Sequence, residues 1–184
     1  MRERASNLER IEVRVSDLQQ LFNVMDPSPF QERDLDPRAE EFIVSWAREA
    51  PRGAPLTLTV HAGQTGSTSE EQLAAAVHTY FQYQADRTRR RLRELFRVGR
   101  RSLAIGLLTL TVTFGLVHLL GNRFADFQLG NLLREGVLIG GWVAMWRPLE
   151  IFLYDWWPIQ QDARLYDRLG EMPVHLEAGS QAAR

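Results

Sequence analysis

The amino-acid sequence predicts an α+β membrane protein. It comprises a two-helix transmembrane hairpin, a long cytoplasmic extension of the first helix, and a small cytoplasmic α/β module whose sheet a C-terminal strand is free to join. Three observations predict this. Residues 102–121 run for twenty positions without a formal charge, enough at about 1.5 Å per residue to cross a hydrocarbon layer of roughly 30 Å. Just before them, residues 87–101 hold eight arginines against one acid, Glu94, and such a block is retained beside the anionic cytoplasmic leaflet. Ahead of both, two stretches of alternating polarity flank a helical stripe, the order of a strand–helix–strand crossover.

Composition narrows the chemistry. At 184 residues the chain holds a small domain plus an anchor, and its slightly negative mean hydropathy puts most residues in water. The net charge of −1 conceals a segregated distribution, with arginines beside the apolar span and acids gathered in residues 26–49. Lipid headgroups account for the basic block, so no nucleic-acid partner is expected. The absence of cysteine excludes disulfides, thiol catalysis and thiolate metal sites. All 22 basic residues are arginine, which excludes lysine-based phosphate loops, Schiff bases and lysine general bases.

In chain order, residues 1–8 read as a frayed lead-in without the apolar core of a signal peptide, so insertion is expected to rely on internal spans. Ile11, Val13 and Val15 alternate with Glu12 and Arg14, a half-buried strand. Ser16 with Gln19 has capping-box spacing, and Leu18, Leu21 and Phe22 follow, predicting a short helix over 17–23. Three prolines in 25–37 exclude regular structure there. Asp36 and Pro37 read as N-cap and N1 of a helix that buries Ala39, Phe42, Ile43, Trp46 and Ala47 and ends at 50–53. Leu56, Leu58 and Val60 alternate with Thr57, Thr59 and His61, a second strand parallel to the first. Two strands make a thin core, and extra partners are expected.

Ser67 and Thr68 stand three before Glu70 and Glu71, a second capping-box register. The helix that follows carries Leu73, Val77, Tyr80, Gln84, Thr88, Leu92, Leu95 and Gly99 on one stripe. It is expected to run unbroken from 70 to about 120, bending at Gly99 or Gly106. The short outer connection 122–135, with Phe124, Phe127, Leu129 and Leu132 as a partial amphipathic turn, makes the next span an antiparallel neighbour. That span, 136–157, offers eleven apolar residues before Arg147 interrupts it. Arg147 and Glu150, three apart, are expected to form an ion pair in the inner half of the membrane. Pro148 kinks the helix there, and Tyr154, Trp156 and Trp157 mark the inner interface. A polar helix then ends at Gly170, and Met172, Val174 and Leu176 alternate as a third strand. The predicted divisions are a module over 1–66, an arginine-rich helix over 67–101, spans over 102–121 and 136–157 around the outer loop 122–135, and a cytoplasmic tail over 158–184.

Candidate sites are few. Asp26, Glu32, Asp34, Asp36, Glu40 and Glu41 with His61 have the residue types of a metal or acid–base site, but turn and cap roles account for them more simply. His61, His78, His118 and His175 share no ligand spacing. No catalytic, metal or cofactor residue is assigned, and no enzymatic activity is expected. Thr109 and Thr113 lie four apart on the first span, placed either to bond their own helix or to line a pore. Gly136 and Gly140, with Gly141 adjacent, give a small-residue face for helix packing. Arg97, Arg100 and Arg101 are assigned to anionic lipid headgroups.

The stretches LFNVMDPSPFQERDLDPRAEEFIVSWARE, GRRSLAIGL and GWVAMWRPLEIFLYDWWPI together resemble an uncharacterised family of bacterial membrane proteins, a domain of unknown function. The resemblance implies a two-span topology in the bacterial inner membrane and no activity. With both termini cytoplasmic, the expected role is a non-enzymatic homo-oligomeric scaffold or docking protein. Its partners are membrane lipids of the anionic inner leaflet, further copies of itself and an unidentified protein. The alternative is an oligomeric ion channel or pore gated by the cytoplasmic module.

Overall fold

Period-two alternation builds β1 (Glu9–Asp17) and β2 (Leu56–Gln64), which pair in parallel with Ile11 opposite Leu58 and Val13 opposite Val60. β3 (Val174–Ala178) adds in parallel to the other side of β2, with Val174 opposite Leu58 and Leu176 opposite Val60. The parallel pairing and the return of the C-terminal strand are therefore both found, in a sheet of order β1–β2–β3. The structure, a computed structural model, describes residues 9–51, 53–121 and 128–178. The expected lead-in at 1–8 and Phe124 and Phe127 of the outer connection lie outside them. The fold is mixed α+β and mostly helical.

The chain divides into two compact units, Met1–Thr88 with Gln161–Arg184, and Arg89–Gln160. In the first, the head, the register gathers Ile11, Leu58 and Val174, then Val13, Val60 and Leu176, on one apolar sheet face. Against it pack α1 (Pro37–Glu49), the opening turns of α2 (Glu70–Gly121) and the closing turns of α4 (Trp156–Glu171). Leu73, Ala76, Val77 and Phe81 of α2 are buried as their spacing requires. The opposite sheet face carries Arg10, Glu12 and Arg14, then Thr57, Thr59 and His61, then His175 and Glu177.

Several local expectations shift. β1 extends to Asp17, whose carboxylate accepts from the Gln19 N–H at 2.9 Å. The short helix is consequently a 3₁₀ turn, Leu18–Leu21, capped by Asp17 rather than Ser16. Asp36 does cap α1, accepting from Arg38 N–H at 2.9 Å with Pro37 in the first turn. Its buried stripe, however, is Ile43, Val44 and Ala47, while Phe42 and Trp46 are 42% and 51% exposed. The capping box of α2 falls one residue past Thr68. Ser69 Oγ accepts from Gln72 N–H at 3.2 Å and Gln72 Oε1 from Ser69 N–H at 3.1 Å. Gly170 lies inside α4 rather than ending it, and a Cβ there would sit 3.2 Å from Gln82 Cγ.

In the second unit, α2 from Arg89 onward meets α3 (Gln128–Glu150) and a π-helical segment, Ile151–Asp155. A Cβ on Gly99 would meet Ile151 Cγ2 at 2.9 Å, one on Gly106 would meet Met145 Sδ at 2.9 Å, and one on Gly141 would meet Thr113 Cγ2 at 3.2 Å. As residue numbers rise on α2 they fall on its partner, so the helices are antiparallel. Gly99 and Gly106 are thus sites of close approach, and α2 runs from Glu70 to Gly121 without a break at either. Gly99, Gly106 and the buried Thr113 are seven apart, which keeps one seam facing α3. Among the described residues one helix, α2, is long and apolar enough to cross a membrane.

Candidate functional site

The second unit holds a cavity of about 440 Å³ lined by Arg93, Phe96, Arg97, Arg100 and Phe152. Helical spacing explains the rim, because positions 93, 97 and 100 share a face of α2 and Phe96 lies between them. The far wall depends on Pro148. With no N–H to offer Ala144 O, the proline opens the ladder, and the π segment follows within three residues. The wide turn puts Phe152 against Phe96, ring centroids 6.2 Å apart, and Trp156 at 6.5 Å from the same ring. Trp156 Nε1–H donates to Phe152 O at 2.8 Å, satisfying a carbonyl of the π turn. The carbonyl released by the proline, Ala144 O, lies where a Cβ on Gly106 would approach it to 3.2 Å, so the glycine admits it to the seam.

Charge at the rim is predominantly positive. Glu94 pairs with Arg97 at 3.0 Å; among the described residues no carboxylate pairs with Arg93 or Arg100. Guanidinium forks over an aromatic floor suit a phosphate group and the apolar chain joined to it. Of the arginines assigned to headgroups, Arg97 and Arg100 line the cavity, Arg101 does not, and Arg93 joins them. The i, i+4, i+7 spacing of Arg93, Arg97 and Arg100 is visible in the sequence; their proximity to Phe152 is not.

Arg147 and Glu150 do pair, Nη1 to Oε2 at 2.8 Å, and Asp155 approaches the same nitrogen at 3.3 Å. The extra residue of the π turn helps bring in that second carboxylate, which sequence spacing does not suggest. Gly136 and Gly140 behave differently from Gly141: a Cβ at either meets no described atom within 4 Å. The glycines at which α2 meets α3 and the π segment are Gly99, Gly106 and Gly141.

Within the acidic stretch, Asp26, Asp36 and Glu40 have hydrogen-bond partners. Asp26 accepts from Asp34 N–H at 2.8 Å and Ser28 N–H at 3.0 Å, and donation from Asp34, then from Ser28, holds its carboxyl below the usual range. Tyr80 donates its hydroxyl to Glu40 Oε2 at 2.7 Å while Gln84 donates to it at 2.8 Å. Burial, then the Glu40 carboxylate, raise the phenol above its ordinary value. His61 stands apart from that stretch, with Nδ1 3.3 Å from Glu177 and Nε2 3.8 Å from Glu12 on the polar sheet face. Among the described residues no cluster of His, Asp and Glu is arranged to hold a metal.

Comparison with models of known families, with characterised proteins and with solved structures finds no match. Two surfaces therefore bear on function: the arginine-rimmed cavity and the apolar collar beside it. On that collar Ile105 is 65%, Trp142 70% and Trp146 72% exposed. Of the most apolar eighteen-residue window of α2, 11% is buried within the chain.

Proposed function

We propose that the chain is a non-enzymatic, homo-oligomeric scaffold or partner-docking protein of the bacterial inner membrane. In this reading α2 and α3 with its π segment form a two-span hairpin, both termini are cytoplasmic, and the arginine-rimmed cavity seats the phosphate of an anionic lipid. The observation that carries it is the exposure of large apolar and aromatic side chains around α2 and α3 next to the cavity arginines, of which Arg97 alone is paired with a carboxylate among the described residues. Exposed apolar area on that scale calls for lipid or another protein surface, and arginines flanking it favour the cytoplasmic headgroups. Arg147 is paired by Glu150 and Asp155, which in this reading reduces the cost of placing its charge near the inner boundary. The exposed Phe42 and Trp46, with ring centroids 6.1 Å apart, support a docking role for the head.

The conducting alternative finds less support. The Thr109 hydroxyl donates to Ile105 O of its own helix at 2.9 Å, and Thr113 is buried beside Gly141. Native mass spectrometry of the full chain released from mild detergent tests the proposal. Oligomers retaining an anionic phospholipid are expected. Changing Arg93, Arg97 and Arg100 together to glutamine is expected to weaken that retention by about two orders of magnitude, at about 1 kcal/mol per arginine. A lipid-free monomer that stays soluble without detergent would end the proposal.

A further inference from the structure

The two edges of the sheet are unlike. On β3 the outward N–H of Leu176 donates to the Glu70 carboxylate at 2.9 Å, so the start of α2 covers a strand only five residues long. β1 is nine residues long, lies outermost and contains no proline. Its Glu9 N–H donates to Pro55 O at 3.0 Å, and the parallel ladder continues from there. Odd-numbered residues therefore direct their main-chain groups at β2, while Arg10, Glu12 and Arg14 direct theirs outward; the Ser16 carbonyl turns back toward Gly63, where a Cβ would meet it at 2.9 Å. Among the described residues those outward groups have no main-chain partner. Val15, on the apolar face, is left partly exposed at the same edge.

We propose that this edge pairs with the same edge of a second copy of the chain, β1 running antiparallel to β1 about a two-fold axis at Val13. The two sheets become one of six strands. This rests on the homo-oligomeric reading above and names its contact. Only registers that set even-numbered residues opposite even-numbered ones bring the outward groups together. Of these, the register centred on Val13 engages most of the strand, with about six main-chain hydrogen bonds. It sets Glu12 opposite the second copy's Arg14, and Arg14 opposite its Glu12, on the polar face. On the apolar face Val13 meets Val13 and Ile11 meets the half-exposed Val15, extending the core across the seam. Centring on Glu12 opposes Glu12 to itself and Arg10 to Arg14; centring on Arg14 opposes two arginines. Centring on Ile11 pairs Arg10 with Glu12 but uses little more than half the strand. The like-charged pair Glu9 and Asp17 falls at the strand ends, where Asp17 is already bonded to Gln19 N–H.

Because the chain has no cysteine, single-cysteine variants of the full-length protein in mild detergent read the register directly. Val13→Cys is expected to give a disulfide-linked dimer on mild oxidation, Ile11→Cys and Val15→Cys none alone, and a mixture of those two a cross-linked pair. Glu12→Arg is expected to weaken association by roughly tenfold, and Glu12→Arg with Arg14→Glu to restore it. The charge variants lie on the exposed face, so they report even where a cysteine disturbs the core. Cross-linking through Ile11→Cys but not Val13→Cys, or association unchanged by Glu12→Arg, overturns the proposal while leaving a scaffold assembled elsewhere intact. A wild-type chain that is monomeric in mild detergent overturns both.

Discussion

In the head, Leu58, Ile43 and Phe81 are fully out of water, whereas in the hairpin Ile105, Trp142 and Trp146 are largely exposed. The residue types are alike, but their burial is opposite. The head buries its apolar stripes against its own sheet and leaves Arg10, Glu12 and Arg14 outside, as a protein in water does. The hairpin turns small residues inward, at Gly106, Thr113 and Gly141, and large ones outward. That inversion is what packing in lipid asks for, where close backbone approach replaces hydrophobic burial between helices.

The greatest contrast is expected between a buried leucine of the head and an exposed tryptophan of the hairpin. Leu58→Ala is expected to destabilise the head by about 2–5 kcal/mol in denaturant unfolding, because the cavity opens under the central strand. Trp146→Ala removes a larger side chain and is expected to change the same measurement in detergent by less than about 0.5 kcal/mol. Equal losses at both positions would show that the collar is a buried core after all. Next comes the seam: Gly106→Leu is expected to cost roughly 1–3 kcal/mol through overpacking against Met145 and Ala144 O, and Gly140→Leu nothing within one chain. A penalty at Gly140 that depends on protein concentration would place a contact between copies there. Asp36→Ala, which strips the cap of α1, is expected to lower head stability by about 1 kcal/mol without altering lipid retention.

The smallest effect is one of pH. Main-chain donation from Leu176, then the neighbouring His175, hold the Glu70 carboxyl below its ordinary value. A depressed acid stabilises the fold above its unfolded pKa, and that contribution is lost as pH falls through the lower folded value. Amide exchange at Leu176 is therefore expected to accelerate on acidification below the ordinary carboxylate range, and Glu70→Gln to remove that pH dependence. Exchange that ignores the substitution would separate Glu70 from the edge it covers.

Much of the fold is legible in periodicity. The stripe of α2 can be read from Leu73 to Phe81 because a helix face buries whatever recurs at three and four, and the strands can be read because each has one wet side. Size misleads. Phe42 and Trp46 are the bulkiest apolar residues of α1 and their spacing points to the core, yet the smaller Ile43, Val44 and Ala47 face the sheet, whose spacing leaves little room for indoles. Gly99 and Gly106 read as bends because a sequence names the missing side chain but not the neighbour occupying its place. Pro148 announces a disturbed helix, correctly, but the form of the repair depends on which groups the helix finds nearby. The arginine-rimmed cavity needs Phe152 from a helix more than fifty residues further on, and no local pattern joins them.

The head is completed by residues on both sides of the hairpin in the chain, since β3 enters beside β2 only after α2 and α3 have been made. During synthesis β1, α1 and β2 must wait, with one flank of β2 bare, until β3 has left the ribosome. Assembly of the head is thus timed by the synthesis of the intervening segment. A chain cut short before β3 would present an unfinished sheet, with the central strand open on one side.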